Sequence, residues 1–230
     1  MPRSSAPDLG GRGRSTAVDR VVHLIRQGVK RGRYAPGQRL PEADLTRELQ
    51  VSRGPLREAL SRLAAEGVLE IEPYRGAMVR RLTRADVEDL YQVREVLEGQ
   101  AAALAARRIT EGDRAERLRQ AVADMTAWRG RNDADAFAYM DSNAAFHDLI
   151  ISLADNQVLA DLMAQLGTNA FRLQLTNVMR ANARETSIRE HEEIAATILA
   201  GDARKAETSM RRHVRHSYDA VMKVSDDLLG

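Results

Sequence analysis

The 230-residue chain is 43% hydrophobic and 30% charged, with 4% aromatic residues, no cysteine and a net charge of +2. Lack of cysteine excludes a disulfide framework or a thiolate metal site. No apolar run approaches the roughly 18–20 residues that span a bilayer, and Met1–Arg14 lacks the apolar stretch of a signal peptide, so a cytoplasmic protein with no membrane partner is expected.

Charge is unevenly distributed. Met1–Arg84 holds 17 basic and 9 acidic residues, against 18 and 24 in the remainder, which turns only the first third toward a polyanion. Residues 1–14 are expected to form a disordered arm, basic through Arg3, Arg12 and Arg14. From Ser15, the positions Val18, Val21, Val22, Ile25 and Val29 recur at helical spacing, with Ser15 or Thr16 as the N-cap. Gly32 and Tyr34–Gly37 stop that helix. A second helix should start near Pro41 and turn Leu45 and Leu49 inward. Ser52 is expected to cap a third, carrying Leu56, Ala59, Leu60 and Leu63, and Gly67 stands where a left-handed C-cap is wanted. Val68–Ile71, a turn at Pro73–Gly76 and Ala77–Val79 read as a two-stranded hairpin. Beyond Val79 the pattern is helical throughout. Thr83 and Asp86 form a capping box opening a helix to about Arg108, and further helices are expected near 112–129, 133–154, 156–180, 184–200 and 202–227.

Helix, helix, tight turn, helix, hairpin is the order of a winged helix-turn-helix. The fold expected is therefore mainly α: the disordered arm 1–14, a winged helix-turn-helix DNA-binding domain with a small β-hairpin wing over 15–81, and an all-α helical bundle over 82–230. Arg53 and Arg57, four residues apart, leave the third helix together on the face opposite its leucines. A guanidinium pairs bidentately with guanine edges, and a helix N-terminus attracts phosphate. Ser52 is placed to bond a phosphate, and Gly76 to let the wing turn tightly.

The segments Pro36–Leu40, Glu42–Leu45, Val51–Leu60, Leu63–Leu69 and Arg75-Gly76 resemble the signature of the GntR family of transcriptional regulators and cover nearly all of 15–80. The resemblance implies that a homodimer binds double-stranded operator DNA, with the third helix in the major groove and the wing in the minor groove. Carried over by position, Ser52, Arg53, Gly54, Arg57 and Gly76 are the implied contacts. Ala43 departs from the pattern, because many members carry arginine there.

Four of the five histidines lie in the C-terminal part. Asn143 and His147 leave one helix face together at i and i+4. His191 lies near the inward stripe Ile188/Ile194/Ile198, and His213 near Met210/Val214. Three imidazoles and an amide oxygen from three helices can converge inside a bundle. Nitrogen-rich ligation of this kind suits a divalent metal ion, zinc first and then nickel, iron or manganese. Leu90-Tyr91, Arg94, Leu97-Glu98, Asn143-x-x-Phe146-His147, Ala154–Asn156, Glu190-His191 and Met210-x-x-His213 make this part resemble the FCD ligand-binding domain of the FadR subgroup. That resemblance implies the metal site Asn143, His147, His191, His213, with asparagine where the family commonly has aspartate. It also implies a small organic acid effector and, as the commoner mode, repression. Arg94 and Arg172 are the expected effector-binding residues, ahead of Asn169 and Gln174, while His216 is expected at the surface.

Two other readings compete. In one, the metal is purely structural and the effector binds elsewhere. In the other, three histidines serve a metal-dependent hydrolase. The run His191-Glu192-Glu193-Ile194-Ala195 lacks the second histidine of a zincin helix, and no nucleophile motif or phosphate loop accompanies it. The chain is therefore read as a regulator and not an enzyme.

Overall fold

The structure, a computed structural model, describes residues 16–72, 76–131, 136–166 and 181–223. The 1–14 arm, the turn at 73–75 and the positions Asn169, Arg172 and Gln174 lie outside the described residues.

The first unit runs α1 (Ala17–Lys30), β1 (Arg39–Leu40), α2 (Glu42–Leu49), α3 (Arg53–Ala65), β2 (Leu69–Glu72) and β3 (Gly76–Val79). Thr16 caps α1 in a reciprocal box with Asp19. Pro41 stands at the N-cap of α2, one position earlier than a first-turn proline. At the end of α3, Gly67 adopts φ +71°. Its amide donates to the Ala64 carbonyl and that of Val68 to Leu63, the paired bonds of a Schellman motif.

The wing is larger than the expected hairpin. Beside β2 and β3 it includes β1, in the antiparallel order β1-β3-β2, with Arg39 opposite Met78 and Leu40 opposite Ala77. A two-residue strand carries no periodicity to read, and its pairing is set by β3 across the sheet. Val21, Ile25, Leu40, Leu45, Leu56, Leu63, Leu69 and Val79 close one core. Burial of each large aliphatic side chain stabilises by about 1.5–3 kcal/mol.

The second unit comprises α4 (Arg84–Arg107), α5 (Arg114–Thr126), α6 (Ala136–Leu153), α7 (Gln157–Gln165), α8 (Ala181–Leu199) and α9 (Ala203–Met222). Its separate core draws on Val87, Leu118, Met125, Phe146, Ile150, Ile188, Ile194 and Met210. Thr83 and Asp86 form the capping box that opens α4. Gly99 lets α9 close on α4, since a Cβ there would come within 2.7 Å of the Arg211 side chain. Among the described residues no helix is long and apolar enough to cross a membrane.

Candidate metal centre and nucleic-acid interface

His147 on α6, His191 on α8 and His213 on α9 meet inside the bundle, each at most 2% exposed. One ring nitrogen from each lies within 4.8 Å of the others. The Nε2 atoms of His147 and His191 are 3.2 Å apart. Phe146, the residue before His147, packs its ring edge against His191 with centroids 4.6 Å apart.

Two carboxylates behind the rings fix the orientation. Glu98 Oε2 on α4 lies 2.6 Å from His147 Nδ1, and Glu190 Oε2 on α8 lies 2.7 Å from His213 Nδ1. A carboxylate on Nδ1 leaves Nε2 as the free electron pair, turned into the cluster, and makes it more basic. Burial, then the neighbouring His213 and His147, push the His191 pKa well below 6.5, so this imidazole stays neutral at pH 7. Burial opposes the Glu190 charge, but His213 and His216 outweigh it and hold that carboxyl below its usual value.

Asn143, one turn before His147 on α6, is 9% exposed, and its buried Oδ1 has no hydrogen-bond partner among the described residues. An orphaned amide oxygen on the face that carries His147, beside three converging imidazoles, is a donor set that fits a divalent cation. Asp141 stands apart from the cluster: its carboxylate pairs with Lys30 on α1.

Arg94 is 6% exposed and bonds Glu98 Oε1 through Nε at 2.7 Å. Its guanidinium lies 4.7 Å from the Tyr91 ring centroid. It thus sits behind Glu98, one residue removed from the histidines. His216, half exposed, pairs with the second oxygen of Glu190.

Glu98 and Glu190 were not among the expected site residues. Both stand inside the quoted FCD cues, but a carboxylate on a helix reads as surface charge until the topology places it. Glu98 is 1% exposed.

On the first unit, Ser52, Arg53, Gly54 and Arg57 are all exposed along the start of α3. Ser52 occupies the N-cap, yet its hydroxyl makes no capping bond. The physical reason is Pro55 at the third helical position, where a cap oxygen normally finds an N–H and proline has none. The first turn of α3 also holds no acidic residue to oppose the helix dipole. Arg57 Nε contacts both carboxylate oxygens of Glu42 on α2 at 3.1 and 3.0 Å, which aims the guanidinium from a fixed base. Gly76 opens β3 with φ +84°, a backbone conformation that favours glycine.

Residues 17–79 match the bacterial regulatory proteins of the gntR family, and residues 89–216 match the FCD domain. The HTH-type transcriptional repressor RspR of Escherichia coli (strain K12) is 27% identical over 207 residues, 90% of each chain. The HTH-type transcriptional regulator LutR of Bacillus subtilis (strain 168) is 29% identical over 214 residues, 84% of this chain and 95% of LutR. Among solved structures, a GntR transcriptional regulator from Rhodococcus sp. RHA1 superposes with TM-score 0.74 at 24% identity, covering 90% of this chain and 98% of that one.

Proposed function

The chain belongs to the FCD-domain family of gntR-type bacterial transcriptional regulators, and from that premise we propose that it is a repressor whose hold on operator DNA is set by a small organic acid bound beside a divalent metal at His147, His191 and His213. The observation that carries the reading is the convergence of three buried imidazoles, two of them backed by carboxylates.

In this reading residues 15–81 bind DNA and residues 82–230 sense the acid and dimerise. Arg53 and Arg57 address base edges, while Ser52, Gly54 and the open first turn of α3 receive phosphate and Gly76 turns the wing. A homodimer spaces two such helices about one DNA turn apart. Asn143 and the three histidines hold the metal, zinc being the first choice for neutral nitrogen ligands. When bound, the metal supplies open coordination positions for a carboxylate. Arg94 steadies Glu98 and adds positive charge behind the site.

Two helices that build the cluster also touch the DNA-binding unit. On α6, Asp141 stands between the winged unit and the ligands, paired with Lys30, whose side chain is only 10% exposed. On α4, which carries Glu98, Asp86 in the first turn accepts a bond at 2.9 Å from Arg80, just after β3. A ligand that favours one packing of α6 and α4 therefore shifts the population of winged-unit positions, limited by its differential affinity for the two states.

Zinc titration by calorimetry tests the site. Metal-stripped protein should bind zinc at one site per chain, and His213→Ala should abolish that binding while keeping its helical circular dichroism. Equal zinc uptake by both proteins contradicts the assignment.

A further inference from the structure

Beyond the histidines, α6 and α8 carry a second set of buried polar groups with no role so far. Tyr139 precedes His147 by eight residues on α6, and Ser187 precedes His191 by four on α8. Tyr139 is 1% exposed, Ser187 4% and Arg184 5%. Tyr139 lies beside Ser187 and His147 meets His191 further along both helices, so the two run the same way from this end toward the cluster. At 1.5 Å per residue, Ser187 lies about 6 Å and Tyr139 about 12 Å back from the histidine on its own helix.

The hydroxyls of Tyr139 and Ser187 are buried, and among the described residues neither has a well-formed hydrogen bond. Native interiors leave few such groups, and each asks for an explanation. Ser187 is near enough to hold the Tyr139 pKa down, although the pair does not meet the geometry of a full hydrogen bond. Burial prevails and, with the Glu185 and Glu190 charges, pushes the phenol up to about 12 against Ser187 and the Arg184 charge. The phenol is thus protonated, and a donor, across the physiological range. Arg184 donates to the Arg131 carbonyl, which anchors its guanidinium at this end of the bundle. Two hydroxyl donors beside a guanidinium ask for a group made of acceptors, and a carboxylate is that group.

We propose that Tyr139, Ser187 and Arg184 form a second effector subsite that receives a second carboxylate, so that the effector is an elongated dicarboxylic acid reaching about one helical turn or more from the metal ligands. The proposal rests on the reading of the histidine cluster as the effector's metal site, and the test separates the two. Zinc-loaded protein is titrated by calorimetry with succinate, glutarate and adipate, and with acetate, butyrate and valerate. At least one diacid should bind tenfold or more tightly than the monoacid of like length. Tyr139→Phe, which removes only the hydroxyl, and Ser187→Ala should each erase most of that preference and leave zinc and acetate binding unchanged. Equal binding of mono- and diacids, or a preference that survives in the double variant, overturns the subsite alone. Failure of every carboxylate to bind zinc-loaded protein overturns the subsite and the metal-site reading together.

Discussion

A methyl group added at Gly54 would meet no atom within 4 Å, although the residue sits in the first turn of the exposed helix α3. Nothing among the described residues needs a glycine there, and the proposed reading gives the open position to DNA approaching from outside. Gly54→Ala should leave the thermal midpoint unchanged or raise it, since alanine is favoured over glycine in a helix by roughly 0.5–1 kcal/mol. The same variant should lose operator affinity in fluorescence anisotropy, and Arg57→Ala should lose about 1–3 kcal/mol of it. Undiminished binding by both would remove α3 from the interface. In the bundle, Glu98→Gln keeps the shape of the group that holds His147 but not its charge. It should weaken zinc affinity about 10–100-fold without unfolding the protein. The histidines were legible because spacing sets His191 and His213 near apolar stripes and the FCD resemblance joins them to Asn143 and His147. Their carboxylate partners were not, because Glu98 and His147 are brought together from α4 and α6 only by tertiary packing. The Arg57–Glu42 pair was hidden for the same reason.

Helix ends show where local chemistry suffices and where it does not. The boxes at Thr16/Asp19 and Thr83/Asp86 and the left-handed Gly67 follow from a few neighbouring residues, and all three form. Ser52 matches an N-cap by residue type, but the proline three positions on removes the donor it would need. Strand β1 was illegible because two residues gain strand character only from β3. The Thr83 backbone amide, with help from the Thr83 hydroxyl and Arg80, holds the Asp86 carboxyl below its ordinary 3.8 against the opposing effect of burial. A depressed carboxyl means that the unfolded chain binds more protons near pH 4 than the folded one. The stabilisation is therefore complete above about pH 4 and is lost as pH falls through the folded value. Asp86→Ala should lower stability in urea melts at pH 7 and narrow its gap to the parent protein at pH 3. An equal gap at both pH values would contradict the assignment. At the other junction, Lys30→Met together with Asp141→Asn removes the ion pair between α1 and α6. That double variant should bind operator while responding less to effector, and an undiminished response would exclude this route.

At the scale of the whole molecule, the basic first third and the acidic remainder divide the labour that the two separate cores make possible. One unit offers exposed guanidinium groups at an open helix start. The other encloses three imidazoles and the two carboxylates behind them. Between them stand a buried lysine paired with the helix that carries Asn143 and His147, and an arginine bonded to the start of the helix that carries Glu98. The change of charge sign and secondary-structure type near residues 80–83 was legible in the sequence, and the two cores lie either side of it. The contacts that join the units were not, since Lys30 and Asp141 are 111 residues apart. Typical couplings between two such sites amount to about 5–150-fold in affinity. The most direct measurement is the operator affinity of zinc-loaded protein, read by fluorescence anisotropy as a carboxylic acid is titrated in. An acid that binds should shift that affinity about fivefold or more, and the shift should vanish once the metal is stripped. Selective operator binding that no bound acid alters, with metal or without it, would contradict the account.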